Sequence, residues 1–157
     1  MQIKLIVIGK TDHQALSDLI AIYQKRLQFY TRFELEILPD IKKTKNLSEI
    51  QQKEKEGILI LSKIENADFI WILDEKGKQF TSVEFAGELQ KKMNSGLKRL
   101  VFIIGGPYGF SEAIYRRANG KLSLAKMTFS HQMVRLFFTE QLYRAFTILN
   151  NEPYHHQ

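Results

Sequence analysis

Leu100-Val-Phe-Ile-Ile-Gly-Gly-Pro-Tyr-Gly-Phe110 is the stretch on which the fold turns. Leu100 to Ile104 has the length of a fully buried strand, and its β-branched and aromatic residues suit one. It runs straight into Gly105-Gly106-Pro107-Tyr108-Gly109. Glycines permit positive φ and let a ligand approach the main chain closely. In open α/β sheets, ligands bind at the carboxyl ends of parallel strands. Taken alone, the glycine loop also reads as a tight strand-to-helix turn. A second segment changes the balance. Leu122 to Phe129 has little polar character and no helix start signal before Ser130. Two non-helical loops, one glycine-rich and one apolar, can form the walls of a pocket for a flat, partly apolar ligand.

Working outward, strands and helices alternate. Ile3 to Gly9 reads as a buried strand. A helix capped by Thr11 or Asp12 follows, with Leu16, Leu19, Ile20, Tyr23, Leu27 and Tyr30 on one face. Phe33, Leu35 and Ile37 alternate with polar residues and stop at Pro39, as in a strand near the sheet edge. Asp40 to Leu47 is a lysine-rich loop. Ser48 and Gln51 have capping-box spacing and open a helix to about Leu61, weakened at Gly57. Phe69 to Leu73 is a third buried strand, with Asp74 to Gly77 as its loop. Thr81 and Glu84 cap a helix that turns Phe85, Ala86, Leu89 and Met93 inward. Leu122 to Leu124 makes a short fifth strand after Leu100–Ile104. From Ser130 a last helix runs to about Leu149, striped by Val134, Phe138, Leu142, Phe146 and Leu149. The pattern implies an α/β fold, a mainly parallel sheet flanked by helices, in a single domain over residues 1–157.

Composition narrows the function classes. The 157 residues include no cysteine, which excludes disulfides, thiolate metal sites and a cysteine nucleophile and agrees with a cytoplasmic chain. The run Ile3–Ile8 is too short for a signal segment or a membrane span, and no other segment approaches that length. A net charge of +6, with basic pairs at Lys42-Lys43, Lys91-Lys92, Lys98-Arg99 and Arg116-Arg117, suits a polyanion partner or an ordinary solvated surface. No Walker-type, dinucleotide-binding or metalloprotease motif is present, and the four histidines show no metal-ligand spacing. Glu140 and Arg144 share a helix face, which is also the spacing of a surface ion pair. The ending Tyr154-His155-His156 offers a base or a stacking group, and is also what a frayed terminus looks like.

Ile104-Gly-Gly-Pro-Tyr-Gly-Phe110, Leu122-Ser-Leu-Ala-Lys-Met-Thr-Phe-Ser-His131, Glu140-Gln-Leu-Tyr-Arg144 and Asn151-Glu-Pro-Tyr-His155 occur in one order. Together they resemble the bacterial large-subunit ribosomal RNA (pseudouridine N3) methyltransferases, minimal members of the SPOUT class, from Ile3 to the C-terminus. The resemblance implies a SPOUT fold with a C-terminal trefoil knot and a homodimer with the active site at its interface. It implies S-adenosyl-L-methionine as cofactor, held by Leu73, Gly105, Leu124, Ala125, Lys126, Met127, Thr128 and Phe129, and no metal. His155, Glu140, Arg144 and Tyr154 become the catalytic candidates, with 23S rRNA of the assembled ribosome as partner. The family commonly ends Tyr-His-Arg, whereas His156 stands in the last of those places here. Two rival functions remain beside this one: a SPOUT methyltransferase acting on another RNA base or ribose, and a non-catalytic α/β module binding RNA or a nucleotide.

Overall fold

A computed structural model describes residues 1–41 and 46–156. The chain runs β1 (Gln2–Ile8), α1 (Gln14–Leu27), β2 (Arg32–Leu38), α2 (Glu49–Leu61), β3 (Phe69–Gln79), α3 (Ser82–Asn94), β4 (Arg99–Ile104), α4 (Glu112–Arg117), β5 (Gly120–Ser123) and α5 (His131–Leu149). The five strands form one sheet in the order β2-β1-β4-β3-β5, and every pairing is parallel. The Leu100–Ile104 run therefore lies at the centre, buried on both faces, which is why it is continuously apolar.

Alternate residues of each strand feed two cores. Ile3, Leu5, Val7, Leu100 and Phe102 pack with Leu27, Phe85, Leu89, Phe138 and Leu142 on the face covered by α1, α3 and α5. Ile6, Ile8, Val101 and Ile103 pack with Ile60, Phe110 and Ile114 on the face covered by α2 and α4. As the alternating pattern of Phe33 to Ile37 anticipates, β2 is an edge strand.

Both capping boxes form: the Ser48 and Thr81 side chains accept from the amides of Gln51 and Glu84, which reach back to the cap amides. The first helix is not capped by Thr11 or Asp12. His13 holds that position without a side-chain bond. Thr11 Oγ1 is engaged elsewhere, accepting from Arg135 Nη1 at 3.3 Å, and the Asp12 main chain donates from N to Gln132 Oε1 at 3.1 Å. The helix through Gly57 is unbroken, and the glycine has a packing reason. A Cβ there would stand 2.3 Å from Ser111 Oγ, so α4 can approach only because the side chain is missing.

The third strand does not end at Leu73. It pairs with β5 up to Leu73↔Leu122, loops out at Asp74–Gly77, then resumes with Lys78↔Leu122 and Gln79↔Ser123. The expected loop is thus an excursion within a longer strand, and β5 begins at Gly120 rather than Leu122. Lys42-Lys43, with half of the lysine-rich loop, lies outside the described residues. Several other basic groups serve the fold. Arg99 forms two bonds to Asp68, at 2.6 and 2.5 Å. Burial alone would raise the Asp68 carboxyl, but Arg99 holds it below its ordinary value. Arg117 donates to the carbonyls of Glu65, Asn66 and Asp68, and Lys92 lies 3.8 Å from the centre of the Phe69 ring.

Candidate active site

Where β5 leaves the sheet, Ser123 Oγ donates to Ala125 O at 2.8 Å and turns the chain into the apolar loop. Two adjoining cavities share the wall Leu122–Ala125 with Phe129. The larger, about 220 Å³, is lined by Phe80, Thr81, Phe85, Phe137 and Gln141 besides that wall. The smaller, about 60 Å³, adds Leu73, Asp74, Glu75, Met127 and Val134. Five of the eight residues expected around a cofactor, Leu73, Leu124, Ala125, Met127 and Phe129, thus border one pair of cavities. Gly105, Lys126 and Thr128 line neither. Gly105 is buried at the end of β4, where an added Cβ would meet Gly109 O and a Phe110 ring carbon at 3.1 Å. Thr128 Oγ1 donates to Glu75 Oε2 at 3.2 Å and ties the apolar loop to the excursion of β3. Lys126 is exposed. Phe129 is covered in part by Phe137, whose ring centre is 5.0 Å away.

The four residues expected to be catalytic form one hydrogen-bonded group. Arg144 donates to Glu140 Oε1 from Nε at 3.0 Å and from Nη2 at 2.6 Å. Tyr154 OH donates to the same oxygen at 3.0 Å. The tail reaches back because Asn151 takes a positive φ of 55° and Glu152 N bonds to Thr147 O at 2.9 Å. Tyr154 then lies under the Arg144 guanidinium, 4.7 Å from ring centre to Cζ, and against Tyr143 at 4.8 Å. The terminus is therefore not frayed at this point. Nor is Glu140–Arg144 a solvated pair, since the side chains are only 18% and 25% exposed.

These contacts determine which groups carry protons. A carboxylate only accepts and a guanidinium only donates. Tyr154 spends its proton on Glu140, so in the 3.3 Å contact between hydroxyls Tyr23 is the donor. Burial, then the bonds with Tyr23 and Glu140, push the Tyr154 phenol above its ordinary value and keep it neutral. The bond to Glu140 raises the Arg144 guanidinium in turn. Arg144 Nη1 lies 3.3 Å from His155 Nδ1, which must therefore accept. In neutral His155 the proton then sits on Nε2, leaving that nitrogen a donor.

Gln141 joins the two halves. It lines the larger cavity, and its Nε2 donates to Glu140 Oε2 at 2.9 Å. Neither Gln141 nor Tyr23 stood out in sequence as a functional group. Tyr23 reads as one more apolar-face residue of α1, and Gln141 carries no signal except adjacency to Glu140. Among the described residues no group of three or more His, Asp or Glu is placed to hold a metal ion. No helix among them is long and apolar enough to cross a membrane.

The chain is 69% identical to the ribosomal RNA large subunit methyltransferase H of Christiangramia forsetii and 71% identical to that of Flavobacterium johnsoniae. Each alignment spans all 157 residues and the whole of the relative. Among solved structures, a methylase family protein from Haemophilus influenzae superposes with a TM-score of 0.52 at 13% identity. That match covers 99% of this chain and 70% of the other, and it supports the fold alone. A family model described as a predicted SPOUT methyltransferase matches residues 1–155. With a parallel sheet, a pocket behind its last strand and full-length relatives of one kind, the chain belongs to the SPOUT methyltransferase family.

Proposed function

We propose that this chain methylates N3 of a pseudouridine in 23S rRNA on the assembled ribosome, with S-adenosyl-L-methionine as donor. The observation that carries this reading is the link from the apolar cavities through Gln141 to the Glu140–Arg144–Tyr154–His155 group. Support for the substrate comes from the names of the full-length relatives. The residues present fit the cofactor: apolar and aromatic walls suit a flat ring, and Thr81, Ser123 and Gln141 supply a few polar groups. Leu73, Leu124, Ala125, Met127 and Phe129 would hold it directly, with Gly105, Lys126 and Thr128 shaping the loops around them. When bound, the sulfonium supplies an electrophilic methyl group.

The chain's own part is positioning and charge. An imide nitrogen must lose its proton to become a nucleophile, which leaves negative charge on the flanking carbonyl oxygens. Preorganised donors that meet developing charge are a large source of catalysis. Arg144 and the Nε2–H of His155 are such donors. Glu140 is not free to act as a base, because Arg144, Tyr154 and Gln141 all donate to it. The imide proton passes to solvent, and Arg144, Tyr154 and His155 hold the base for in-line approach.

The same reading makes residues 1–157 one domain in the cytoplasm, tied in the family's trefoil knot and working as a homodimer. Leu19 and Ile22 on α1 and Met133 and Phe137 on α5 leave apolar surface exposed on two neighbouring helices, as a buried interface requires. Tyr143 is half-buried and packs among Tyr23, Tyr30 and Tyr154. Mapping labelled methyl groups after incubation with unmethylated ribosomes tests the reaction. One label on a pseudouridine N3 of 23S rRNA is expected. Label on another base or a ribose, or none, overturns it. Light scattering at micromolar concentration reads the dimer, and a monomer contradicts it.

A further inference from the structure

Tyr115 lines neither of the two adjoining cavities, but its half-buried side chain joins the excursion of β3, the loop after β4, and β5 itself. The hydroxyl donates to Asp74 Oδ2 at 2.6 Å, on the excursion. The ring meets that of Phe110, the residue after the glycine loop, in a T-shaped contact with centres 5.9 Å apart. Lys121 of β5 sets its ammonium 4.7 Å from the centre of the same ring. Each contact lies one step from the cavity walls or from a residue expected around the donor. Asp74 follows Leu73 and lines the smaller cavity beside it. Phe110 packs against Gly105, where an added Cβ would come within 3.1 Å of its ring. Lys121 precedes Leu122, which borders both cavities.

We propose that Tyr115 is a positioning residue for the methyl donor, acting through Asp74 to fix the β3 excursion as one wall of the donor site. The proposal rests on the donor reading above. The excursion needs such an anchor. A cavity of about 320 Å³ separates it from the glycine loop, bordered by Lys76, Tyr108 and Tyr115 among others, so packing does not hold it on that side. Its anchors there are polar. Asp74 Oδ1 accepts from Lys76 N at 2.8 Å, which folds the excursion on itself, while Oδ2 takes the Tyr115 proton. Glu75 Oε2 accepts from Thr128 Oγ1 at 3.2 Å, which carries the same anchorage into the apolar loop. Burial, then the bond to Asp74, pushes the Tyr115 phenol above its ordinary value, so the hydroxyl keeps its proton and donates. A carboxylate acceptor makes this bond stronger than one between neutral groups. Without it the excursion has room to shift toward the cavity, and Leu73 and Thr128 shift with it.

Calorimetry with S-adenosylhomocysteine on the full chain, with methyl-transfer kinetics on unmethylated ribosomes, tests this. Tyr115→Phe removes the hydroxyl and keeps both ring contacts. It should weaken S-adenosylhomocysteine about tenfold and raise KM for S-adenosyl-L-methionine as much, while kcat stays within about twofold. Arg117→Met is the comparison on the same helix. Arg117 anchors α4 to the Glu65 and Asp68 carbonyls before β3, at the end of that strand opposite the excursion, so its loss should leave donor affinity within about twofold. Unchanged affinity in Tyr115→Phe, or an equal loss in Arg117→Met, reduces Tyr115 to packing and overturns the proposal while leaving the donor reading intact. No binding by the unmodified chain overturns both. Should Tyr115→Phe fail to fold, Asp74→Ala decides, because it removes the acceptor and keeps the ring. A loss of about tenfold or more supports the proposal, and an unchanged affinity overturns it.

Discussion

Arg135 and Arg144 occupy the same helix and look alike in sequence, but their surroundings assign them opposite work. The Arg135 side chain is wholly buried at the carboxyl end of β1. It donates to Ile8 O at 2.5 Å, Gly9 O at 2.8 Å and Thr11 Oγ1 at 3.3 Å, its Nε is buried without a partner, and among the described residues no carboxylate pairs with it. Burial pushes its guanidinium below the ordinary value, countered by Asp12 and Asp40 at longer range. Arg144 keeps a quarter of its side chain in solvent, and Glu140 raises its guanidinium. A buried cation is tolerable where it satisfies buried main-chain oxygens. Arg135 therefore staples β1 to α5. Arg144 is neutralised by a partner on its own helix and still meets solvent, which is what binding an outside group requires.

The strongest way to break this contrast is Arg135→Met. The replacement keeps an apolar stem but strands the carbonyls of Ile8 and Gly9. Each stranded group costs about 1–3 kcal/mol, so a loss of about 3 kcal/mol in unfolding free energy is expected by urea denaturation. An unmoved midpoint would mean that Arg135 is no staple. Arg144→Met should lower the midpoint less than Arg135→Met does, while abolishing methyl transfer.

The same contrast shows what could be read in advance. The capping boxes at Ser48 and Thr81 were legible because both partners lie within four residues and the chemistry is local. The strand cores were legible because burial on two faces leaves an unbroken apolar run. The return of β3 at Lys78 was not, because it is dictated by pairing with Leu122, far along the chain. Nor was the fate of Arg99 and Arg117, whose partners Asp68 and the Glu65–Asp68 carbonyls look like an ordinary polar turn. At the site, Glu140 and Arg144 were legible by spacing and by family resemblance. The arrival of Tyr23 and Gln141 depended on helix packing that no local pattern records.

The next test concerns His155. Its Nδ1 faces a guanidinium, and under the proposed function it donates through Nε2 rather than acting as a base. His155→Ala should lower single-turnover methyl transfer about a hundredfold, the usual cost of one preorganised donor. Donor affinity should stay within a few-fold, and stability should change by less than about 0.5 kcal/mol, as for a surface substitution. The rate defect should be nearly independent of pH. Partial recovery at high pH, where the imide ionises unaided, would instead make His155 the base and separate it from Arg144.

The smallest expected effect is at Tyr23. Its hydroxyl donates to Tyr154, whose own proton is committed to Glu140, so the three oxygens form a chain with one direction. Tyr23→Phe removes one outer link and keeps the ring against Tyr143 at 5.8 Å and beneath Arg26 at 5.6 Å. A neutral hydrogen bond of this kind contributes about 0.5–1.5 kcal/mol, so methyl transfer should fall about two- to tenfold. Tyr30→Phe supplies the comparison, because Tyr30 donates to Glu152 at 2.6 Å and grips the tail without entering the chain. If Tyr23 acts by orienting Tyr154, its loss should lower the rate with saturating ribosomes, whereas Tyr30→Phe should chiefly weaken ribosome binding through a looser tail. Equal effects of both substitutions on binding alone would reduce Tyr23 to packing. The polar group would then begin at Tyr154, with α1 serving only as the surface on which the tail lies.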